Sequence, residues 1–153
     1  MPTVECLYVC NTNATNAMIT RMTHVCVYVL NQDSAFDFYI NKLGFKVKLD
    51  VPMGNNARWL TVTPPDQPEL EINLFPVAEG GLLPPESVRA MTTLVSNGTF
   101  GCGVFTCRDI HATYEELVAK GVRFKKKPTK EFYGLEALFY DDSGNWFSLA
   151  QLI

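Results

Sequence analysis

The sequence predicts an α+β fold: two βαβββ modules whose strands form a curled, cup-shaped mixed sheet, with the helices on its outer face. Three observations predict it. Short runs rich in β-branched and aromatic residues alternate with one helical stripe in the order strand, helix, strand, strand, strand. That order occurs twice along the chain. The two occurrences also superpose through their opening strands, helix caps, helices and closing strands, as an internal repeat should.

The first copy opens on the strand His24-Val25-Cys26-Val27-Tyr28-Val29, and the second on Cys102-Gly103-Val104-Phe105-Thr106-Cys107. In that alignment Asn31 falls on Asp109, and both are residue types whose side-chain oxygens accept the free amides of a helix start. Phe36, Tyr39, Ile40 and Leu43 then make one apolar stripe, matched by Ile110, Tyr114, Leu117 and Val118. Gly44 and Gly121 are placed to end the helices in a left-handed cap, and here the second copy is one residue shorter. Three more strands follow in each copy, over 45–51, 58–63 and 70–75, then over 122–126, 135–140 and 146–151. Gly54-Asn55-Asn56, Pro64-Pro65-Asp66-Gln67-Pro68 and Asp141-Asp142-Ser143-Gly144-Asn145 are turns between them. The closing strands superpose with Glu71 over Ser148, one residue short of the opening offset, as the deletion requires.

These matches divide the chain into an extension over 1–21 and one domain over 22–151, made of module one (22–75), a linker (76–99) and module two (100–151). The linker carries Gly80-Gly81 and Pro84-Pro85 and predicts a short helix over 86–95. Met18 and Met22 are alternative starting points before the repeat.

Composition narrows the function classes. A formal net charge of -3 and the absence of a basic stripe exclude a nucleic-acid-binding face, which needs concentrated cations to neutralise phosphates. The one basic cluster, Lys125-Lys126-Lys127, is expected to be a solvated strand end. No run is long and apolar enough to cross a bilayer, and the first residues lack the basic start and apolar stretch of a signal peptide. Five cysteines without regular paired spacing argue against a disulfide framework and for a reducing compartment, so the cytoplasm is expected. Cys6 and Cys10 have no second pair to complete a zinc site, and the triplet at Asn13 is of a kind that chance supplies.

The double βαβββ order, the opening Thr23-His24-Val25, the Asp109-Ile110 helix entry and the turn Asp141-Asp142-Ser143-Gly144-Asn145 together resemble the vicinal oxygen chelate superfamily. Its members include glyoxalases, extradiol dioxygenases, fosfomycin-resistance transferases and bleomycin-resistance proteins. The stretch Arg58-Trp59-Leu60-Thr61-Val62-Thr63-Pro64-Pro65, with Gln67-Pro68 and Glu71-Ile72, is similar to a glyoxalase/bleomycin-resistance subgroup. The resemblance implies a divalent cation held by side chains on the first and last strand of each module, usually two His and two Glu. Those positions here are His24, Glu71, Cys102 and Ser148. It also implies a homodimer.

A catalytic metal needs about three good donors and an open position. His24 and Glu71 qualify, Cys102 would serve as thiolate, and the neutral Ser148 hydroxyl is a poor fourth. One divalent metal held by His24, Glu71 and Cys102 would be zinc or iron rather than magnesium, because thiolate is soft. Glu71 alone would act as a general base poised by burial. Strand alternation sends Cys26, Tyr28 and Asn73 to the face of His24 and Glu71, Trp59 and Thr61 to the same cavity, and Trp146 and Ala150 with Ser148, while Tyr133 closes the rim. The expected substrate-binding wall is therefore Tyr28, Trp59, Thr61, Asn73, Tyr133, Trp146 and Ser148.

An aromatic cup with few polar groups suits a small organic ligand. The expected function is a small-molecule-binding protein of the glyoxalase/bleomycin-resistance type with a degenerate metal site. The alternative is a metal-dependent lyase, isomerase, dioxygenase or thiol transferase acting on a substrate with vicinal oxygens. A third reading, a non-catalytic interaction module, rests on residues 1–21 and the linker alone.

Overall fold

Strand β1, His24–Val29, turns Val25, Val27 and Val29 toward the core and leaves His24, Cys26 and Tyr28 on its other face. This computed structural model describes residues 18–19, 21–54 and 57–153. The expected extension 1–21, with Cys6, Cys10 and Asn13, falls almost wholly outside the described residues, as do Asn55 and Asn56 of the first expected turn.

The Asn31 side chain accepts from the amides of Asp33 and Ser34 at 2.9 Å each and starts helix α1, Gln32–Asp37. That helix runs directly into a π-helical turn, Phe38–Lys42, in which the Leu43 amide reaches back to the Phe38 carbonyl at 3.1 Å. Its counterpart α3, Ile110–Ala119, is capped by Asp109 and stays α-helical throughout. The π turn takes in one extra residue. It accounts for the single-residue offset between the copies, because Gly44 (φ 74°) and Gly121 (φ 76°) still end the two helices in the same left-handed conformation.

Strands β2 (Lys46–Gly54), β3 (Ala57–Thr63) and β4 (Glu71–Pro76) complete module one, and the linker helix α2 spans Pro85–Ser96. Module two adds β5 (Gly101–Thr106), β6 (Phe124–Glu131), β7 (Gly134–Tyr140) and β8 (Trp146–Leu152). Each module has its own four-stranded mixed sheet, ordered β1-β4-β3-β2 and β5-β8-β7-β6. In each, the first and last strands of the module lie side by side and parallel, and the remaining pairs are antiparallel. Lys125, Lys126 and Lys127, expected at a strand end, lie inside β6, which runs on past Pro128 where the ladder with β7 is irregular. Proline is tolerated there because an irregular ladder asks for no amide at that point.

One core serves both modules. Tyr39 on the π turn stands edge-on to Phe147, and Phe105 stacks on Phe147 with ring centroids 4.9 Å apart. Each such ring contributes about 1.5–3 kcal/mol by leaving water. The turn between β7 and β8 then stitches the modules with polar contacts. Asp141 Oδ1 accepts from the amides of Ser143, Gly144 and Asn145, and its Oδ2 from the Asn145 side chain and the Tyr39 hydroxyl. Asn145 also donates to the Tyr28 carbonyl at 2.8 Å, and the Leu30 amide donates to the Ser143 hydroxyl at 2.9 Å. The helix face of each sheet is thus buried, and the opposite face carries the side chains that bear chemistry.

Candidate functional site on the open sheet faces

In module one the β1–β4 register sets His24 directly beside Glu71 and Cys26 beside Asn73. His24 Nε2 lies 3.2 Å from Glu71 Oε2, and the same carboxylate oxygen accepts from the Thr61 hydroxyl at 2.9 Å. Trp59 and the buried Thr61 lie on this side of β3, alternating with Leu60 and Val62, which belong to the core on the other side. The Trp59 ring stands 6.2 Å from the imidazole of His24. Tyr28 and Phe75 pack edge to face, 5.7 Å apart, at the far end of the same β1–β4 pairing, beyond Cys26 and Asn73. The face is extended by Leu49 and Val51 of β2, which stand opposite Thr61 and Trp59 and remain exposed. The structure therefore gathers His24, Glu71, Tyr28, Trp59, Thr61 and Asn73 on one side of the sheet, with Thr61 and Asn73 buried.

Cys102 and Ser148 are arranged differently. The β5–β8 ladder slips between Gly101 and Gly103, so Cys102 sits in a bulge and Val104, not Cys102, stands opposite Ser148. A one-residue slip turns a side chain to the other face of a sheet. Cys102 accordingly packs against the hydrophobic core, where burial and then the charge of Asp141 push its thiol up to about 12. The expected His24, Glu71 and Cys102 donor set is not assembled. Among the described residues no group of three or more His, Cys, Asp or Glu side chains is placed to hold a metal. Two donors, already engaged with each other and with Thr61, do not fit the requirement for a catalytic divalent cation within this chain.

Ser148 donates instead to Glu136 on β7, at 2.8 Å. Glu136 also receives Lys126 at 3.0 Å, and Lys126 bridges on to Glu131. Burial raises the Glu136 carboxyl, but Ser148, Lys126 and Tyr133 outweigh it and hold the group below its ordinary value. Tyr133, at the β6–β7 turn, is in turn pushed up by the Glu136 carboxylate beside it. Trp146 lies against Gly101 and donates its indole N–H to the Thr99 carbonyl at 3.2 Å. Glu136 was not singled out from the sequence, and Lys126 was read only as part of a solvated basic cluster. Alternation along β7 was the available signal, since Leu135, Ala137 and Phe139 face the core and Glu136 lies between them.

A separate cleft of about 920 Å³ opens between the β3–β4 loop and the start of α3. Its floor is the common core itself, including Phe105, Phe139 and Leu149, and the Arg108–Asp66 ion pair at 2.9 Å joins its two sides. None of the expected ligand-binding side chains lines it.

The profile of the Glyoxalase/Bleomycin resistance protein/Dioxygenase superfamily matches residues 21–149. The chain belongs to this superfamily. The match spans both modules and ends within β8. A solved structure, UcmS2, is 45% identical with a TM-score of 0.80 and is matched over 86% of this chain and 98% of its own. TnmS3, an antibiotic binding protein from Streptomyces sp. CB03234, is 26% identical with a TM-score of 0.69, over 90% of this chain and 99% of its own. The uncharacterised protein YetH of Bacillus subtilis is 34% identical over 134 residues, 88% of this chain and all of its own length. This member of the superfamily has the two-module α+β fold, and no helix among its described residues is long and apolar enough to cross a membrane.

Proposed function

We propose that this protein binds a small organic molecule on the open face of its first sheet and holds it without chemical change, at a site that has lost the metal chemistry of the fold. The observation that carries this is the state of the two surviving donor residues. His24 and Glu71 satisfy each other and Thr61, while the third position, Cys102, is turned into the core. Trp59 lies beside the pair, and Tyr28 and Phe75 lie further along the same side of β1 and β4, a face suited to an aromatic body. A structural relative that is an antibiotic binding protein supports a binding rather than a catalytic role.

The working unit in this proposal is a homodimer formed by the single domain over 22–151. Leu49, Val51 and Met53 on β2, and Val104 on β5, are exposed apolar side chains beside the two open faces. A second copy lying over them would remove that area from water and enclose the ligand. Cys26, Cys102 and Cys107 are free thiols, which is consistent with a reducing cytoplasm.

The test combines three measurements on protein purified without chelators: elemental analysis, tryptophan fluorescence titration against a panel of flat aromatic compounds, and recovery of the bound compound. Substoichiometric metal, saturable quenching and an unaltered ligand are expected. One tightly held metal per chain, or conversion of the compound, would overturn the proposal.

A further inference from the structure

We propose that the cleft between the β3–β4 loop and the start of α3 is a second ligand site, separate from the open sheet faces, and that it takes an apolar molecule carrying a protonated amine. The internal repeat shows why this cleft is open. The Phe45 amide donates to the Tyr39 carbonyl and the Val122 amide to the Leu117 carbonyl, each at 2.9 Å, so Tyr39 and Leu117 hold the same place in the two modules. In the alignment that lays Glu71 on Ser148, Pro64 takes the place of Asp141. On one side of the molecule, then, the Tyr39 hydroxyl holds the β7–β8 turn down, with Asp141 and Asn145 buried. The hollow beside that turn, between Ser34, Phe38, Gly121 and Asp141, measures only about 240 Å³. On the other side Leu117 has no hydroxyl and Pro64 no carboxylate. The β3–β4 loop closes on itself instead, with the Thr63 hydroxyl and the Leu70 amide both donating to the Gln67 carbonyl, and Pro65, Asp66, Gln67 and Pro68 stay exposed. The hollow on this side is about 920 Å³.

Its lining sets the chemistry of the occupant. Leu43, Phe45 and Phe105 are half-buried on its walls, over the buried Leu117, Phe139 and Leu149. Phe45 and Phe105 meet edge to face, 5.3 Å apart, and Phe105 is stacked on Phe147 behind it, so the apolar part of the cleft is formed before anything binds. An apolar body gains there by leaving water. The exposed charges around it are mostly of one sign. Asp66, Glu69, Asp109 and Glu116 stand against a single lining cation, Arg108. Arg108 is given to Asp66, and Lys120, from outside the cleft, is given to Glu116. Glu69 and Asp109 have no ion-pair partner among the described residues. The potential at the mouth is therefore negative, which draws in a cation and repels an anion. Arg108 and Asp66, the pair that joins the two sides, are both exposed, so parting them to admit a ligand costs little.

The experiment uses full-length protein and three probes built on one saturated cage: adamantylmethylamine, adamantylmethanol and adamantanecarboxylate. Calorimetry should show the amine binding about tenfold more tightly than the carboxylate, with the alcohol between them. On adding the amine, the methyl resonances of Leu43, Leu117 and Leu149 should move, and those of Leu49 and Val51 on the open face should not. Glu69→Gln combined with Asp109→Asn removes the two unpaired charges while asparagine still caps α3, and it should erase the amine's advantage and leave the alcohol's affinity unchanged. Ala112→Trp, at an exposed position on the cleft wall, should abolish amine binding. Equal affinity for amine and carboxylate, movement of Leu49 and Val51 alone, or amine binding that persists in a folded Ala112→Trp overturns the inference and leaves the open-face site standing. Absence of amine binding overturns it as well, and a dimer that Ala112→Trp then dissociates would assign the cleft to a second copy of the chain.

Discussion

The Tyr39 hydroxyl donates to Asp141 Oδ2 at 3.0 Å, joining the π turn of module one to the β7–β8 turn of module two. Both groups are buried, and the carboxylate takes four further hydrogen bonds within its own turn. Burial pushes Asp141 up to about 6, with Asn145, Tyr39 and the Gly144 amide pulling the other way. Burial and Asp141 together push the Tyr39 phenol well above its ordinary value, so it remains a donor.

Tyr39→Phe should therefore lower stability by about 1.5–3 kcal/mol, the usual range for a hydrogen bond to a charged group. Asp141 has a folded pKa above its ordinary 3.8, so its contribution is fully present below that value and is lost as pH rises through about 6. Removing a donor to the ionised form makes the loss steeper. The difference in melting temperature between the natural protein and Tyr39→Phe should widen between pH 5 and pH 8, and an unchanging difference would remove Asp141 from the account.

Gly144→Ala should be more damaging than a surface substitution. Gly144 has φ 112°, and a methyl group there would meet the Val95 carbonyl at the end of α2. Positive φ and a backbone obstacle act together, and a loss of about 2–4 kcal/mol in urea unfolding is expected. A loss under about 1 kcal/mol would mean that α2 shifts freely against the turn.

Glu136→Gln tests the charged cluster of module two. The Glu136 pKa is held below 4.5, so its stabilising contribution exists above that value and disappears as pH falls through the lower folded one. The substitution should lower the melting temperature at pH 7, and the gap should close as the pH is taken below 4.5. A gap independent of pH would point to packing rather than charge.

Chelation gives the simplest test of the donor set. With no group of three donor side chains placed to hold a metal among the described residues, dialysis against EDTA should leave the melting temperature within about 1 °C of the untreated protein. Replacing His24 by Ala should change zinc-induced shifts little. A fall of several degrees on chelation would require a third ligand.

Much of this architecture was legible because a duplicated fold leaves two records of the same pattern. The pairing of His24 with Glu71 was implied by the family resemblance, and the apolar Ile72 and Leu74 on either side sent Glu71 to the open face. Cys102 was misplaced by the same method, since an alignment of strands assumes a regular ladder. The local warning was Gly101 and Gly103 on either side of it, a composition that favours a bulge. Lys126 and Glu136 were passed over because a run of lysines looks solvated in isolation; only the hairpin brings Lys126 to Glu131 and Glu136. The π turn left a trace in the sequence as a missing residue, but nothing in the residue types told where the extra one was stored.

The hydroxyl–carboxylate pairs of the two sheets are reversed. In module one the acid comes from β4 and the hydroxyl from β3, whereas in module two the acid comes from β7 and the hydroxyl from β8. The carboxylates have exchanged strands, and one has a histidine for company while the other has a lysine. Each chain therefore carries two unlike polar clusters, one paired with an imidazole and the other with an ammonium. Duplication here has kept the scaffold while letting its halves diverge in what they welcome.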